Sequence, residues 1–482
     1  MFLLRGLFYF LIAATLISSG SSTTILKTPT TLDFVRFRGT LKVLTRIDPT
    51  TYYKDTEGFT GLEYDLVTLF AKRLGVKVKF IVPDTFEDLL NQIAAGKADI
   101  AAASLTITEQ RRKHMRFTMP YHQITEQIIF RSSNRRPKKP TDLKHGILEV
   151  VKGTSHVESL KKLQQQTPGL DWLVNDQLDT NGLLYLVNEG LIDYTVADSN
   201  QITLIGRFFP KLNVAFDISP SRQIAWALPK SNDASLYNEV QQFFKKITRD
   251  HTLEQLLERH YGHANLNYVG LCKFREHVRS RLPEYRSLFK QASAKNNLDW
   301  RLLAAIGYQE SHWLEKATSP TGVKGIMMLT RGTARQLGIK QRTDPVQSIF
   351  GGARYFRQRI NKIPLRIPEP DRTWMALAAY NVGFGHLEDA RILTQQRGGN
   401  PDQWIDVKKS LPLLSKKKWY KRVKHGYARG REPVRYVENI RSYFDLLIWL
   451  TEENRIRKNA MSTKTIEPKQ PNMALDITPP AL

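Results

Sequence analysis

Glu310 has neighbours that could make a carboxyl group work as a general acid. It is followed by Ser311 at the predicted end of a helix that begins at Trp300, and the loop Ile326-Met327-Met328 comes soon afterwards. Apolar neighbours disfavour the charged form of a carboxyl group, which raises its pKa and keeps a proton on it near neutral pH. This loop and the aromatic Tyr380 are expected to supply such neighbours. By itself, however, a Glu-Ser pair at a helix end is more typical of an exposed glutamate.

Two later motifs strengthen the assignment of Glu310. Ala379-Tyr380-Asn381-Val382-Gly383 places a hydroxyl and an amide at a helix end, and Tyr436-Val437-Glu438-Asn439-Ile440 opens the last long helix. With Glu-Ser and Gly-Ile-Met-Met before them, these motifs resemble those of the lytic transglycosylase domain, a goose-lysozyme-like helical fold. The resemblance covers about residues 282–450. One departure is Met328, which stands where the family usually has glutamine, so a polar contact to substrate is missing or supplied elsewhere.

The resemblance implies a reaction on the glycan strands of peptidoglycan. Glu310 would protonate the oxygen of the β-1,4 bond between N-acetylmuramic acid and N-acetylglucosamine. The 6-hydroxyl of the same muramic acid would attack C1, Glu310 would take its proton, and a 1,6-anhydromuramic acid end would result. The enzyme class implied is an exolytic transglycosylase, a carbon–oxygen lyase, although the motifs do not separate endo from exo cleavage. The residues expected at the substrate are Ser311, Met327, Met328, Tyr380 and Asn381.

Alternatives remain open for this half of the chain. A hydrolytic lysozyme usually needs a second carboxyl group as base or nucleophile, and Glu315 and Asp344 are the candidates. Tyr380 could hydrogen-bond Glu310, anchor a sugar or pack in the core. Tyr436 and Asn439 are expected to hold helices together rather than to touch substrate.

The first half of the chain carries motifs of a different kind. Residues 58–66, 96–100 and 104–111 resemble those of extracellular solute-binding proteins for amino acids, in which two α/β lobes close on a ligand. The resemblance implies that a small amino acid or a muropeptide binds here and that it acts as an effector of the enzyme. Ser104, Thr106 and Arg111 would hold the ligand carboxylate, Arg111 through a bidentate pair, while Thr154 would add a hydroxyl and Asp198 would pair with the amino group. The alternative is a scaffold that binds nothing.

The apolar periodicity divides the chain into two architectures. Short apolar strands alternate with helical stretches from about Thr24 to Gly262, which is typical of an open α/β sheet, whereas the pattern from Phe274 to Leu450 is almost wholly helical. We therefore predict a multi-domain protein with a two-lobed α/β periplasmic-binding-protein-like domain followed by a mainly α lysozyme-like domain. The predicted boundaries are a signal peptide at 1–22, the solute-binding-like domain at 23–265, the transglycosylase domain at 266–452 and a disordered tail at 453–482.

The N-terminal residues predict export. Arg5 precedes an apolar run from Leu7 to Ile17, and small residues follow at 19–22. This run is shorter than the about 20 apolar residues that a bilayer core of ~30 Å requires, so it fits a secretory signal peptide better than an uncleaved anchor. No cysteine follows the run, so no lipoprotein attachment point is expected.

The composition narrows the choice of partners. Lysine and arginine number 72 against 46 aspartate and glutamate, a formal charge of +26 that favours polyanions. No nucleic-acid-binding motif is present, so no nucleic acid is expected as a partner. The single cysteine, Cys272, excludes an intrachain disulfide and a four-cysteine metal site, and no His/Asp/Glu cluster has the spacing of zinc ligands, so no metal is expected. No cofactor is expected either. The two resemblances together imply an exported Gram-negative enzyme held peripherally at the periplasmic face of the outer membrane. The competing class is a periplasmic solute-binding receptor with a non-catalytic helical domain.

Overall fold

The computed structural model describes residues 28–54, 58–206, 208–209, 211–262, 268–319 and 322–463, with the backbone alone at 54, 268–269, 271–272 and 452–463. The predicted signal peptide, the predicted domain boundary at 265/266 and the side chain of Cys272 lie outside the described residues.

The strands all lie in the first half of the described chain. In chain order they are β1 Thr40–Leu44, β2 Tyr53–Lys54, β3 Phe59–Thr60, β4 Lys77–Ile81, β5 Ile100–Thr106, β6 Met115–Phe117, β7 His122–Ile124, β8 Glu126–Arg131, β9 Leu148–Val151, β10 Leu173–Asn175, β11 Tyr194–Asp198, β12 Leu212–Asp217 and β13 Arg222–Pro229.

The helices of the described residues run through both halves. Those of the first half are α1 Thr31–Arg38, α2 Leu62–Leu74, α3 Phe86–Ala94, α4 Glu109–Arg112, α5 Ser155–Gln166, α6 Thr180–Glu189, α7 Ser199–Ile205, α8 Ser235–Arg249 and α9 Thr252–Tyr261. The second half contains α10 Tyr268–Ser280, α11 Leu282–Asn296, α12 Trp300–Ser311, α13 Arg331–Gln336, α14 Pro345–Lys362, α15 Asp371–Val382, α16 Phe384–Gln396, α17 Trp404–Ser410, α18 Lys417–Tyr420 and α19 Arg431–Thr463. Short 3₁₀ helices occur at Pro140–His145 and Leu411–Ser415.

Two separate sheets form the two lobes of the first half. The first sheet has the order β4-β1-β5-β13-β6, with β7 also paired to β13, and the second has the order β10-β9-β11-β8-β12. Strand β13 returns to the first sheet after the second is complete, so the chain crosses between the lobes twice. Each lobe has its own buried apolar core, and this arrangement confirms the predicted two-lobed α/β architecture.

Helix α12 lies in the core of the helical half. Its N-cap is Asp299, whose carboxylate accepts a hydrogen bond from the backbone N–H of Arg301 at 2.7 Å. The helix stops directly after Ser311, because His312 and Trp313 both take positive φ values, 52° and 58°. The Trp313 side chain is buried, and its indole N–H donates to the carbonyl of Ala304 at 2.8 Å, which fixes this end of the helix.

Helix α19 joins the helical half to the α/β half. Arg441 on this helix is buried, and its guanidinium donates to the Glu258 carboxylate at 3.0 Å and to the carbonyls of Glu258 and Arg259 at the end of α9. Lys408 adds a second ion pair to Glu258 at 2.7 Å. Cations at the C-terminal end of a helix are favourable because its carbonyl groups carry partial negative charge. The two halves therefore meet through a buried charged contact.

The last helix and the apolar character of the helices bear on two further predictions, the disordered tail and the absence of a membrane-spanning segment. Helix α19 continues to Thr463, so the prediction of a disordered tail from residue 453 is wrong for 453–463, while 464–482 lie outside the described residues. Among the described helices, none combines the length and apolar character needed to cross a bilayer.

Candidate active site

The carboxyl group of Glu310 is held at the junction of α12 and α19. The hydroxyl of Tyr436, on α19, donates to Oε1 of Glu310 at 2.6 Å. Loss of water around the carboxyl group raises the pKa of Glu310 to about 7, although the hydrogen bond from Tyr436 lowers it in part. A carboxyl group with this pKa can release and recover a proton near neutral pH, as an acid–base catalyst must.

Tyrosine side chains lie near this carboxyl group. The ring of Tyr380 meets the ring of Tyr355 edge to face at a centroid distance of 5.1 Å, and the Tyr380 hydroxyl donates to the carbonyl of Met327 at 2.9 Å. Burial and then the charge of Glu310 raise the pKa of both Tyr380 and Tyr436 well above its ordinary value. The two hydroxyl groups therefore stay protonated and act as hydrogen-bond donors.

The loop after α12 is fastened to the helix that carries Glu310. The Ser311 hydroxyl lies 2.9 Å from the carbonyl of Ile326 and 3.1 Å from that of Gly307. Gly325 adopts φ +85°, and a Cβ atom there would lie 1.9 Å from the carbonyl oxygen of Arg342. Only glycine fits this position, because it combines positive φ with close backbone approach. The loop is thus held in one position relative to Glu310.

The residues that the sequence predicts at the substrate differ in how far they are exposed. The Met327 side chain is fully buried and packs against Gly352, so its expected contact with substrate is corrected to a packing role. Met328 is half-buried with φ 45°, and Asn381 is exposed just beyond Tyr380. Ser311 is buried with its hydroxyl on backbone carbonyls rather than on Glu310.

Tyr436 is the residue that sequence reasoning missed. It was expected only to hold helices together, whereas its hydroxyl binds Glu310 directly. Asn439, one turn further along α19, donates to the side chain of Gln309 at 3.0 Å, which is the helix-to-helix contact that was expected. Residues three apart lie on one face of a helix, so the spacing of Tyr436 and Asn439 was the available signal that both face α12.

The candidate second carboxyl groups have other contacts. Asp344 caps α14, where its carboxylate accepts the backbone N–H of Gln347 at 2.7 Å. Glu315 lies close enough to Tyr285 for its charge to contribute, after burial and Glu284, to a raised pKa of that phenol.

The five ligand residues predicted in the first half lie on both lobes. Arg111 bridges the lobes, because its guanidinium donates to the carbonyl of Thr106 at 2.9 Å and to that of Gly153 at 3.1 Å. In the second lobe, the Thr154 hydroxyl donates to the backbone carbonyl of Val151 at 2.7 Å, and Oδ1 of Asp198 lies 2.9 Å from Nε2 of His156. The structure thus brings the anionic and cationic members of the predicted site to one interlobe region.

Ser104 is held by a buried carboxylate that the sequence reading did not single out. Glu63 accepts hydrogen bonds from the backbone N–H of Ser104 at 2.8 Å, from the Tyr121 hydroxyl at 2.5 Å and from the Trp226 indole at 2.6 Å. Ser104 has φ 55°, which is uncommon for a residue with a side chain. Ser104 lies within β5, so Glu63 fixes a strained residue of this strand, where its register with β13 shifts.

Two family models match this chain in separate segments. Bacterial extracellular solute-binding proteins, family 3, match residues 41–263, and the transglycosylase SLT domain matches residues 287–403. Proteins named membrane-bound lytic murein transglycosylase F are similar over most of their length. The one from Saccharophagus degradans is 47% identical over 94% of this chain and 89% of its own. One from Pseudomonas fluorescens is 46% identical over 88% of each chain. The chain belongs to the membrane-bound lytic murein transglycosylase F family.

Solved structures also resemble the first half of the chain. A mutant of the arginine-binding protein of T. maritima is 25% identical, with a TM-score of 0.44, and the match covers 48% of this chain and 99% of that one. An ancestral arginine-binding protein bound to arginine is 26% identical, with a TM-score of 0.43, over 46% of this chain and 99% of that one.

Membership of the family confirms both resemblances drawn from the motifs. Ser104 to Asp198 lie inside the solute-binding match, and Glu310 and Tyr380 lie inside the transglycosylase match. Tyr436 lies beyond the matched segment, although its hydroxyl contacts Glu310. The roles of the individual site residues remain predictions.

Replacing Tyr436 with phenylalanine should shift the pH profile of cleavage. The Tyr436 hydroxyl stabilises the charged form of Glu310, so its removal should raise the pKa of Glu310 above the present value of about 7. Because the acid must be protonated to act, activity falls as pH rises through this pKa, and the alkaline limb should move to higher pH. Loss of a hydrogen bond to a charged group should also lower kcat by about tenfold.

The matched control for this change is Tyr380→Phe. Its hydroxyl donates to a backbone carbonyl of the loop rather than to Glu310, so the alkaline limb should stay in place. Initial rates of sacculus solubilisation between about pH 5 and 9 provide the comparison. An unchanged limb in the Tyr436 variant, or an equal shift in both variants, would show that Tyr436 does not set the pKa of Glu310.

Proposed function

We propose that this chain is a lytic transglycosylase of peptidoglycan in which Glu310 is both general acid and general base. The observation that carries the proposal is the carboxyl group of Glu310, which has a pKa of about 7 and is bound by Tyr436 between α12 and α19. The family supplies the substrate class, since its members are named as murein transglycosylases.

The site geometry suits a reaction in which one carboxyl group serves twice. Protonated Glu310 would give its proton to the glycosidic oxygen as the bond to C1 of N-acetylmuramic acid breaks. The resulting carboxylate would take the proton of the muramic acid 6-hydroxyl as that oxygen bonds to C1, leaving a 1,6-anhydro ring. Tyr436 keeps one carboxylate oxygen in place during both transfers. A pKa near the working pH lets the same group act in both directions.

The remaining groups around Glu310 would position the glycan strand. Met328, in the loop fastened to α12, and Asn381, near the C-terminal end of α15 beside Tyr380, both have exposed area, so we assign them to sugar contacts. Tyr380 would present its ring to a sugar, while Ser311 keeps the Met327 loop fastened to α12. Met328 cannot replace the hydrogen bonds of a glutamine, because a thioether is a weak acceptor and no donor.

Digestion of purified sacculi by the full-length protein tests the enzymatic proposal. Soluble muropeptides should appear, and their glycan ends should be anhydromuramic acid. A protein that binds sacculi without releasing any soluble product would favour the alternative of a receptor with a non-catalytic helical domain.

We further propose that the two-lobed domain binds an amino acid or a muropeptide and acts as an effector site. The support is the interlobe position of Arg111, Thr154 and Asp198, and the contact of this domain with α19, the helix that also carries Tyr436. A thermal-shift screen of free amino acids and soluble muropeptides tests binding, and a scaffold would show no stabilising compound.

The proposed location is the periplasmic face of the outer membrane, where the protein is held peripherally. The relatives are named as membrane-bound, and the charge of +26 suits anionic lipid headgroups and wall peptides. Washing isolated outer membranes with salt separates charge-based attachment from insertion, because surface electrostatic attraction is screened by salt.

A further inference from the structure

Two phenylalanine side chains are exposed on one face of helix α1. Phe34 is 58% exposed and Phe37 is 89% exposed, more than any other large apolar residue of the described chain. Residues three apart are neighbours on a helix surface, so the two rings form one apolar patch. Adjacent exposed apolar side chains with polar groups around them mark interaction surfaces.

The opposite side of α1 is fixed to the first lobe. Val35 is buried in the core of this lobe, and the backbone N–H of Leu32 donates to the Ser235 hydroxyl at 3.1 Å. The N-terminal end of the helix is closed by a capping box, in which Thr30 accepts from the backbone N–H of Asp33 and the Asp33 carboxylate accepts from Thr30. The two exposed rings therefore stand on a helix that is held in place from behind.

Cationic side chains surround the C-terminal end of this helix. Arg36 and Arg38 lie on α1 itself and are exposed. Lys77 is exposed at the start of β4, where its backbone N–H donates to the carbonyl of the residue that follows α1. Lys97 is also exposed, two residues from Asp99, the carboxylate that pairs with Arg38. Four cations and one paired carboxylate thus lie next to the apolar patch.

We propose that α1 is the surface by which this protein lies on an anionic lipid bilayer. Phe34 and Phe37 enter the boundary between headgroups and acyl chains, while the surrounding cations meet the lipid phosphates. This inference rests on the proposed peripheral location and names the surface that produces it. Aromatic side chains are favoured at this boundary, and stable attachment through a surface requires an apolar contact together with a basic patch.

The charge around the patch favours a lipid surface over a second copy of the chain. Two copies that paired through this face would bring the same four cations against each other, because such an interface uses one patch twice. A protein partner would have to supply an apolar pocket and carboxylates in a matching arrangement. A bilayer with anionic lipids presents acyl chains and phosphates together over its whole surface.

Co-sedimentation of the exported full-length protein with vesicles tests this assignment. The vesicles contain phosphatidylethanolamine and phosphatidylglycerol at about 3:1, and vesicles of phosphatidylcholine provide the neutral comparison. The double variant Phe34→Ser/Phe37→Ser should bind the anionic vesicles at least about tenfold more weakly. The double variant Arg36→Gln/Lys97→Gln should lose about tenfold at low salt and much less at high salt, where surface charges are screened.

The matched control is Leu365→Ser, which removes an apolar side chain that is 82% exposed on a turn of the helical half. This variant should bind the vesicles like the wild type. Serine and phenylalanine have similar helix propensities, so the phenylalanine variant should unfold at the same temperature as the wild type. Its rate on sacculi in the absence of lipid should also be unchanged. If it fails to fold, the variant of Arg36 and Lys97 carries the test.

The possible results separate this inference from the proposed location. If the wild type does not bind anionic vesicles, both fall together. If the phenylalanine variant binds like the wild type, the location stands and this surface is wrong. Three further results would also overturn the assignment: a much lower unfolding temperature of that variant, which would mean that the chain itself covers the rings; a wild-type dimer that the variant abolishes; or weaker binding to sacculi with unchanged binding to vesicles.

Discussion

Glu310→Gln should reduce cleavage of sacculi by about 10²–10⁴-fold or more while the protein remains folded. Glutamine has the same shape and can still accept the Tyr436 hydroxyl, but it cannot give a proton to the glycosidic oxygen or take one from the 6-hydroxyl. The loss should be at the upper end of the range, because one group performs both transfers. Release of soluble muropeptides over time provides the rate, and the thermal unfolding midpoint verifies folding.

Two other carboxyl groups supply the controls for this change. Glu315→Gln and Asp344→Asn remove the groups that a hydrolytic mechanism could use, and Asp344→Asn keeps an N-cap for α14. Both variants should retain most of the wild-type rate. A folded Glu310→Gln variant with near-normal activity, or a comparable loss in either control, would contradict a mechanism with Glu310 as the single carboxyl catalyst.

Arg111→Ala should weaken ligand binding to the two-lobed domain by about 30-fold or more. The expected ligand carboxylate would lose a buried charged partner, and truncating one partner of such a pair typically costs about 2–5 kcal/mol. Its hydrogen bonds to carbonyls of both lobes would also be lost, so the present arrangement of the two lobes would be less stable. Thermal shift and calorimetry with the best compound of the amino-acid screen provide the measurement.

Lys113→Ala is the matched control for Arg111→Ala, because it removes a cation two residues away at an exposed position. It should bind the compound like the wild type. Equal binding by the wild type and Arg111→Ala would mean that Arg111 only holds the lobes together, and the predicted carboxylate site would be withdrawn.

The carboxyl group that we propose as the catalyst could be singled out from the sequence, but its hydrogen-bond partner could not. Glu310 lies at the end of an apolar helix and precedes a Gly-Ile-Met-Met loop, and both features are local in sequence. Tyr436 contacts it across 126 positions of sequence, and periodicity shows only which face of α19 is turned inward. Periodicity also could not show the partner of Tyr380, whose hydroxyl binds the carbonyl of Met327 rather than Glu310.

The architecture of the first half could be read from strand and helix periodicity, but the register of its strands could not. The motifs pointed to Arg111 and Asp198 because those positions match a family pattern. Glu126 faces Asp198 only because β8 and β11 pair antiparallel in one particular register, which depends on the packed sheet. For Met327 the motif alone was misleading, because this residue belongs to a motif of the predicted site but its side chain is fully buried.

Digestion of sacculi in ¹⁸O-enriched water tests the central claim most directly. When the 6-hydroxyl of muramic acid is the nucleophile, no water oxygen enters the product. Mass spectrometry should therefore show anhydromuramic acid ends without ¹⁸O, and these should be absent from digests with Glu310→Gln. Reducing muramic acid ends that carry one ¹⁸O each would contradict this account and identify the enzyme as a hydrolase with a second catalytic group.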